Sequence, residues 1–185
     1  SYIKTTGNAS FHTQIYANDS IVFETDAFTT VTYTNVRLTF DQICKIRYIQ
    51  KAFIQMSRDN GATWVNLTST HYQGGSPQFS SQGWFNELSY PSQLLTPYWY
   101  GPTIGNSNTG TGPTPATASD WWARETFDLS SYLGTYDNTN SQYGYANCKL
   151  RFIMSNKTGT PSPAALEGWF VDNIMVEGAP CELEP

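Results

Sequence analysis

Ser57-Arg58-Asp59-Asn60-Gly61-Ala62-Thr63-Trp64 reads S-x-D-x-G-x-x-W, a spacing suited to a tight β-hairpin. Residues 53–57 are expected to run as a strand, Asp59-Asn60-Gly61 to turn, and residues 63–67 to run back. Ser57 and Asp59 offer short side-chain oxygens to the backbone N–H groups of the turn, and Gly61 accepts positive φ. Trp64 supplies a large ring to anchor the hairpin on a core. The motif speaks to fold before it speaks to chemistry.

Strand signals continue outward on both sides. Residues 21–24 read as a first strand. Val36, Leu38 and Phe40 alternate with Arg37, Thr39 and Asp41, as a half-buried strand requires. Ala52, Ile54 and Met56 alternate up to the hairpin, and residues 83–88 form a shorter aromatic run. Residues 121–129 alternate again, followed by Leu150, Phe152 and Met154, with residues 169–176 as the last strand. Helical periodicity is nearly absent. Short strands separated by Gly, Pro and Asn clusters predict an all-β, antiparallel β-sandwich. The expected core includes Phe40, Ile54, Met56, Trp64, Phe127, Leu150, Phe152, Phe170 and Ile174.

Composition narrows the class. The 185 residues suit one domain, residues 1–185 with a core at about 20–178, read as part of a larger secreted protein. Charged residues make up 14% and aromatics 15%, a mix that favours pleated extracellular strands. A net charge of −5 disfavours nucleic acid, which needs a basic face. No apolar run approaches the roughly 20 residues of a membrane span, so membrane insertion is not expected. The chain begins at Ser1 without a Met and is read as a secreted or cell-surface piece. Cys44, Cys148 and Cys181 match no zinc spacing; a Cys44–Cys181 staple and buried free thiols are both open.

The order of segments carries a resemblance. Leu38-Thr39-Phe40-Asp41, the Ser57–Trp64 hairpin, Trp122-x-x-Glu125-Thr126-Phe127-Asp128-Leu129-Ser130, Lys149-Leu150-Arg151-Phe152 and Gly168-Trp169-Phe170-Val171-Asp172-Asn173-Ile174 follow one another. The chain resembles the Asp-box jelly-roll modules related to MAM and reelin-repeat domains. It is especially similar to bacterial versions in secreted Bacteroidetes surface proteins and in accessory domains of secreted metallopeptidases. Ser57, Asp59, Gly61 and Trp64 are the structural Asp-box. The resemblance implies a calcium-stabilised, non-catalytic sandwich used in adhesion or targeting, with Glu24, Asp26 and Asp172 as structural Ca²⁺ ligands. Asp41 is a further candidate. By alternation Asp172 shares a face with Phe170, Ile174 and Val176, and a carboxylate aimed at an apolar interior needs a partner or a metal.

Catalytic signatures are missing. Neither His12 nor His71 sits in a nucleophile motif, and Glu87, Glu125 and Glu167 are acids that nothing singles out for glycoside hydrolysis. The chain is therefore read as no enzyme. Binding has more to stand on. Residues 96–120 form a long polar stretch containing Tyr98, Trp99 and Tyr100, with Trp121 and Trp122 directly after it. These rings are candidates for a glycan or surface-protein platform, with Asn106, Asn108 and Asp120 to bond hydroxyls; the alternative is that they cover the sandwich edge. The expected function is adhesion or ligand binding beside neighbouring domains of the same precursor. Alternatives are an accessory domain of a secreted metallopeptidase and a structural spacer in a long adhesin.

Overall fold

Alternation at residues 36–40 seeds the first sheet: Val36, Leu38 and Phe40 are fully buried while Arg37 faces solvent. The computed structural model describes residues 9–11, 19–46, 48–89, 122–156 and 168–181. Its strands are β1 (Ala9–Phe11), β2 (Asp19–Glu24), β3 (Tyr33–Lys45), β4 (Lys51–Ser57) and β5 (Val65–Asn66), then β6 (Ala123–Asp128), β7 (Tyr136–Asp137), β8 (Gln142–Tyr143), β9 (Lys149–Asn156) and β10 (Gly168–Pro180). They make two four-stranded sheets, ordered β1-β10-β3-β6 and β2-β9-β4-β5, and a small β7-β8 ribbon. Every strand pair is antiparallel. The chain is an all-β sandwich.

The two sheets meet through aromatic rings. Phe40 on β3 stacks on Phe127 of β6 with centroids 6.1 Å apart, and it meets Phe152 of β9 edge-on at 5.4 Å. Phe152 in turn packs 5.7 Å from Trp169 of β10. Such rings bury most of their surface, and each contributes about 1.5–3 kcal/mol through lost contact with water. Phe40, Ile54, Met56, Phe127, Leu150, Phe152 and Ile174 all lie in this core, as their alternation predicts.

Two expected core residues stand elsewhere. Trp64 is half-buried on the outer side, where the Arg151 guanidinium covers its ring at 4.2 Å. Phe170 is also half-buried, because β10 changes phase. Asp172 pairs with Asp41 and Met175 with Thr39, so Asn173 and Ile174 together oppose one residue of β3. This is a β-bulge, and Asn173 takes the left-handed conformation it needs, φ 51°. Trp169 and Val171 point inward before the bulge, Ile174 and Val176 after it. Asp172 therefore shares an outward phase with Phe170 and does not face the apolar interior; its carboxylate accepts the N–H of Asn173 at 2.6 Å.

Two short helices stand beside the strands among the described residues, in keeping with the near absence of helical periodicity in the sequence. In α1 (Pro77–Gln82) the Ser76 side chain accepts the N–H of Phe79, Pro77 opens the first turn, and Gly83 closes it at φ 80°. The helix buries Phe79 against Phe85, 4.5 Å away, and Tyr72, 4.8 Å away. Phe85 touches β4 only through an isolated bridge to Ala52, and Glu87–Ser89 is a 3-10 turn, so residues 83–88 are not a strand. The second helix, α2 (Ser130–Leu133), follows β6 directly.

Cys44, Cys148 and Cys181 form no disulfide with one another. Trp169 pairs with Cys44 at one end of the β3–β10 ladder and Pro180 with Tyr33 at the other. At roughly 3.3 Å per strand residue, that puts Cys181 on the order of 35 Å from Cys44. The staple between them is not formed, since a disulfide requires Cα atoms within about 7 Å.

Candidate functional site

The Asp-box turn is built as its residues predict. The Ser57 hydroxyl donates to Asp59 Oδ1 at 2.7 Å and accepts the N–H of Gly61 at 2.8 Å. Asp59 also accepts the N–H of Thr63 at 2.9 Å and the Thr63 hydroxyl. The Thr63 hydroxyl first, with its N–H and the Ser57 hydroxyl, brings the Asp59 carboxyl down to about 2. Asn60 and Gly61 both take positive φ, 59° and 88°. The return strand is only Val65–Asn66, shorter than residues 63–67 suggest, although Leu67 N–H still reaches the Ile54 carbonyl at 2.9 Å.

What the hairpin tip touches is more informative. Asn60 donates its N–H to the carbonyl of Asn147 at 2.8 Å, which docks the turn on the segment leading into β9. Arg58 then projects between two rings, its guanidinium 4.8 Å from Tyr132 of α2 and 4.8 Å from Tyr145. Its Nη1 donates to the Tyr145 hydroxyl at 2.8 Å, and that hydroxyl lies 3.1 Å from the Thr135 hydroxyl. Tyr145 is itself fixed, because its N–H donates to the buried Thr30 hydroxyl at 3.0 Å. No carboxylate pairs with Arg58 among the described residues. A planar cation is thus held in place by aromatic faces and one hydrogen bond rather than by an acid.

These residues line an open cleft of about 550 Å³ between the Asp-box tip, α2 and the β7-β8 ribbon. The ribbon contributes Tyr136, 46% exposed, braced by Tyr143 with ring centroids 5.3 Å apart. Its turn contributes Asp137, whose oxygens accept the N–H of Thr139 at 2.9 Å and the Asn140 amide at 2.7 Å. The Asn140 amide first holds the Asp137 carboxyl below its ordinary range. Asp137 and Asp59 are therefore ionised, but each spends its lone pairs on its own turn. Sequence reading placed no binding residue here. Its one usable signal was the cluster of Tyr132, Tyr136, Tyr143 and Tyr145, too many rings for so short a run of strand.

Of the anticipated binding rings only Trp122 is among the described residues. Tyr98, Trp99, Tyr100 and Trp121 fall outside the described residues. Trp122 is 40% exposed just before β6, whereas α2 follows the far end of that strand, and Trp122 does not line the cleft.

The anticipated calcium ligands do not gather. Glu24 at the end of β2 pairs with Lys149 Nζ at 2.9 Å, Asp26 is exposed, and Asp172 stands on the other sheet. Asp41 accepts from Arg124 Nη2 and from the Asn173 amide, each at 2.8 Å. No group of three or more His, Cys, Asp or Glu is placed to hold a metal among the described residues.

His71 is a turn residue. Its Nδ1 accepts the N–H of Thr68 at 3.1 Å, while its own N–H donates to the Thr68 carbonyl at 3.0 Å. The bonded Nδ1 leaves the neutral ring's proton on Nε2. Burial first pulls the imidazole below its ordinary range, against the nearby Asp128 charge. No protein-family model and no curated protein sequence matches this chain.

Proposed function

We propose that this chain is a non-catalytic ligand-binding module of adhesion type, carried by a secreted or cell-surface protein, and that it meets its ligand in the Arg58 cleft. The observation that carries the reading is the Arg58 guanidinium clamped between Tyr132 and Tyr145 with no acid partner among the described residues. A donor held rigid before binding costs little entropy when a ligand arrives, which is what a recognition group needs. The cleft's size falls within the range of small-ligand sites, about 300–1,000 Å³. The Asp-box hairpin and the resemblance to MAM and reelin-type jelly-roll modules support an adhesion role, because such modules are implied to bind rather than react. The binding of His71 Nδ1 to a backbone N–H agrees with a non-catalytic reading, since that nitrogen is not free to take a proton from a nucleophile.

The test is amide NMR mapping of the chain against a mixed library of oligosaccharides and short peptides. Ligand-induced shifts centred on Arg58, Tyr132 and Tyr145, lost in Arg58→Ala with melting unchanged, are expected. Binding that maps to another face would overturn the assignment.

A further inference from the structure

We infer that the cleft around Arg58 takes an uncharged saccharide, its hydroxyls shared between the Arg58 guanidinium and the Asn138 amide and one ring face resting on Tyr136. The inference rests on the ligand-binding reading above and adds the chemistry of the ligand.

Three features of the cleft select that chemistry. The first is a supply of uncommitted polar groups. Among the described residues only Nη1 of Arg58 is bonded to a protein acceptor, and the exposed Asn138 amide has no hydrogen-bond partner there. Donors and an amide carbonyl therefore stand together at the cleft, and a sugar's neighbouring hydroxyls, each donor and acceptor at once, satisfy such a mixture. The second is the exposed face of Tyr136, held upright by its T-shaped contact with Tyr143, on which the C–H side of a pyranose packs.

The third is charge. Asp59 and Asp137 line the same cleft as Arg58, so two carboxylates and one guanidinium share it. An acidic ligand gains from Arg58 but is repelled by both carboxylates, and the chain as a whole carries −5. A neutral ligand carries no net charge for this field to repel. The walls also disfavour a peptide. They are mostly turn and helix, at residues 58–63, 132–135 and 137–140, and the β7 strand between them is only two residues long, too short an edge for an extended peptide to add its backbone.

Titration calorimetry and amide NMR would use three probe sets: neutral oligomers of glucose, galactose, mannose and N-acetylglucosamine, uronate oligomers, and a library of short peptides. At least one neutral oligomer is expected to bind with shifts at Arg58, Tyr136 and Asn138. Tyr136→Ala, at an exposed position, should weaken it about tenfold or more at unchanged melting temperature. Arg58→Lys, which keeps the charge but loses the planar fork, should weaken it as well. Binding at these residues by uronates alone or by peptides alone overturns the saccharide assignment and leaves the ligand-binding reading standing. Neutral oligomers that bind Tyr136→Ala and Arg58→Lys as tightly as the wild type overturn the assignment too. If no probe shifts these residues, both readings fall.

Discussion

The Tyr72 hydroxyl donates to the buried carboxylate of Glu125 and accepts the N–H of Ser76 at 2.6 Å, tying the loop before α1 to the edge strand β6. The other carboxylate oxygen accepts the Gln42 amide at 2.9 Å, and that amide's oxygen accepts the indole N–H of Trp169 at 2.6 Å. An indole nitrogen only donates, so Trp169 fixes which way Gln42 points. Donors from both sides therefore end on Glu125, which is 2% exposed. Gly74 permits the approach, since a Cβ there would stand 2.6 Å from the Tyr72 oxygen and 2.7 Å from Glu125 Oε2.

Burial pushes the Glu125 carboxyl above its ordinary value of 4.5, with the bonds from Tyr72 and Gln42 acting in opposition. A folded value above the unfolded one gives a stability contribution that is complete below the unfolded value and lost as pH rises through the folded one. Glu125→Gln cannot ionise, and its amide sets a donor against a donor, so it should be less stable than wild type in acid. The gap should narrow as pH rises toward neutrality. Urea denaturation across that range measures it; parallel curves for the two proteins would show that Glu125 does not titrate with folding.

Asp59 titrates in the opposite sense. Its folded value of about 2 lies below the ordinary 3.8, so its contribution is present above 3.8 and lost as pH falls through about 2. Carboxyl-carbon NMR should place its midpoint near 2. Ser57→Ala removes one donor to Asp59 and strands the N–H of Gly61, so the midpoint should rise and stability fall by about 1–2 kcal/mol. A wild-type midpoint at the ordinary value would remove the Asp-box network as the cause.

Thiol counting checks the sheet register. Cys44 and Cys148 are buried, with burial pushing both thiols up, while Cys181 is partly exposed beyond β10. A thiol reagent should label Cys181 rapidly in the native protein and all three cysteines in denaturant without reductant. A Cys44–Cys181 disulfide in peptide mapping would contradict a ladder that holds these residues at opposite ends.

Period-two alternation made β3, β4, β6 and β9 legible, because one face of each is buried and the side chains must follow the pleat. It failed at β10, where Asn173 shifts the phase, since alternation cannot register an inserted residue. The Asp-box was legible down to its hydrogen bonds because they are local. The destination of Trp64 was not, as it depends on Arg151, which only strand pairing brings near. The helix α1 carried its own signals in Ser76, Pro77 and Gly83, but it is too short to show a helical period. The Arg58 cleft is assembled from two stretches of chain far apart in sequence, residues 58–63 and 132–145, so nothing within reach of Arg58 in sequence announces it.

The bulge at Asn173 makes the last prediction. Asn173 is exposed at φ 51°, and its amide donates to Asp41 at 2.8 Å across to β3. Glycine takes this conformation freely and loses only that exposed hydrogen bond, so Asn173→Gly should stay within about 1 kcal/mol of wild type. Valine resists left-handed backbone by roughly 1–2 kcal/mol and also loses the bond, so Asn173→Val should be the least stable of the three in urea denaturation. If valine is tolerated as well as glycine, the left-handed residue is not what sets the phase of β10. The consequence reaches the core, because without the bulge Asp172, Ile174 and Val176 would share one face, so that either Ile174 and Val176 turn to solvent or Asp172 turns in against the rings of the sandwich.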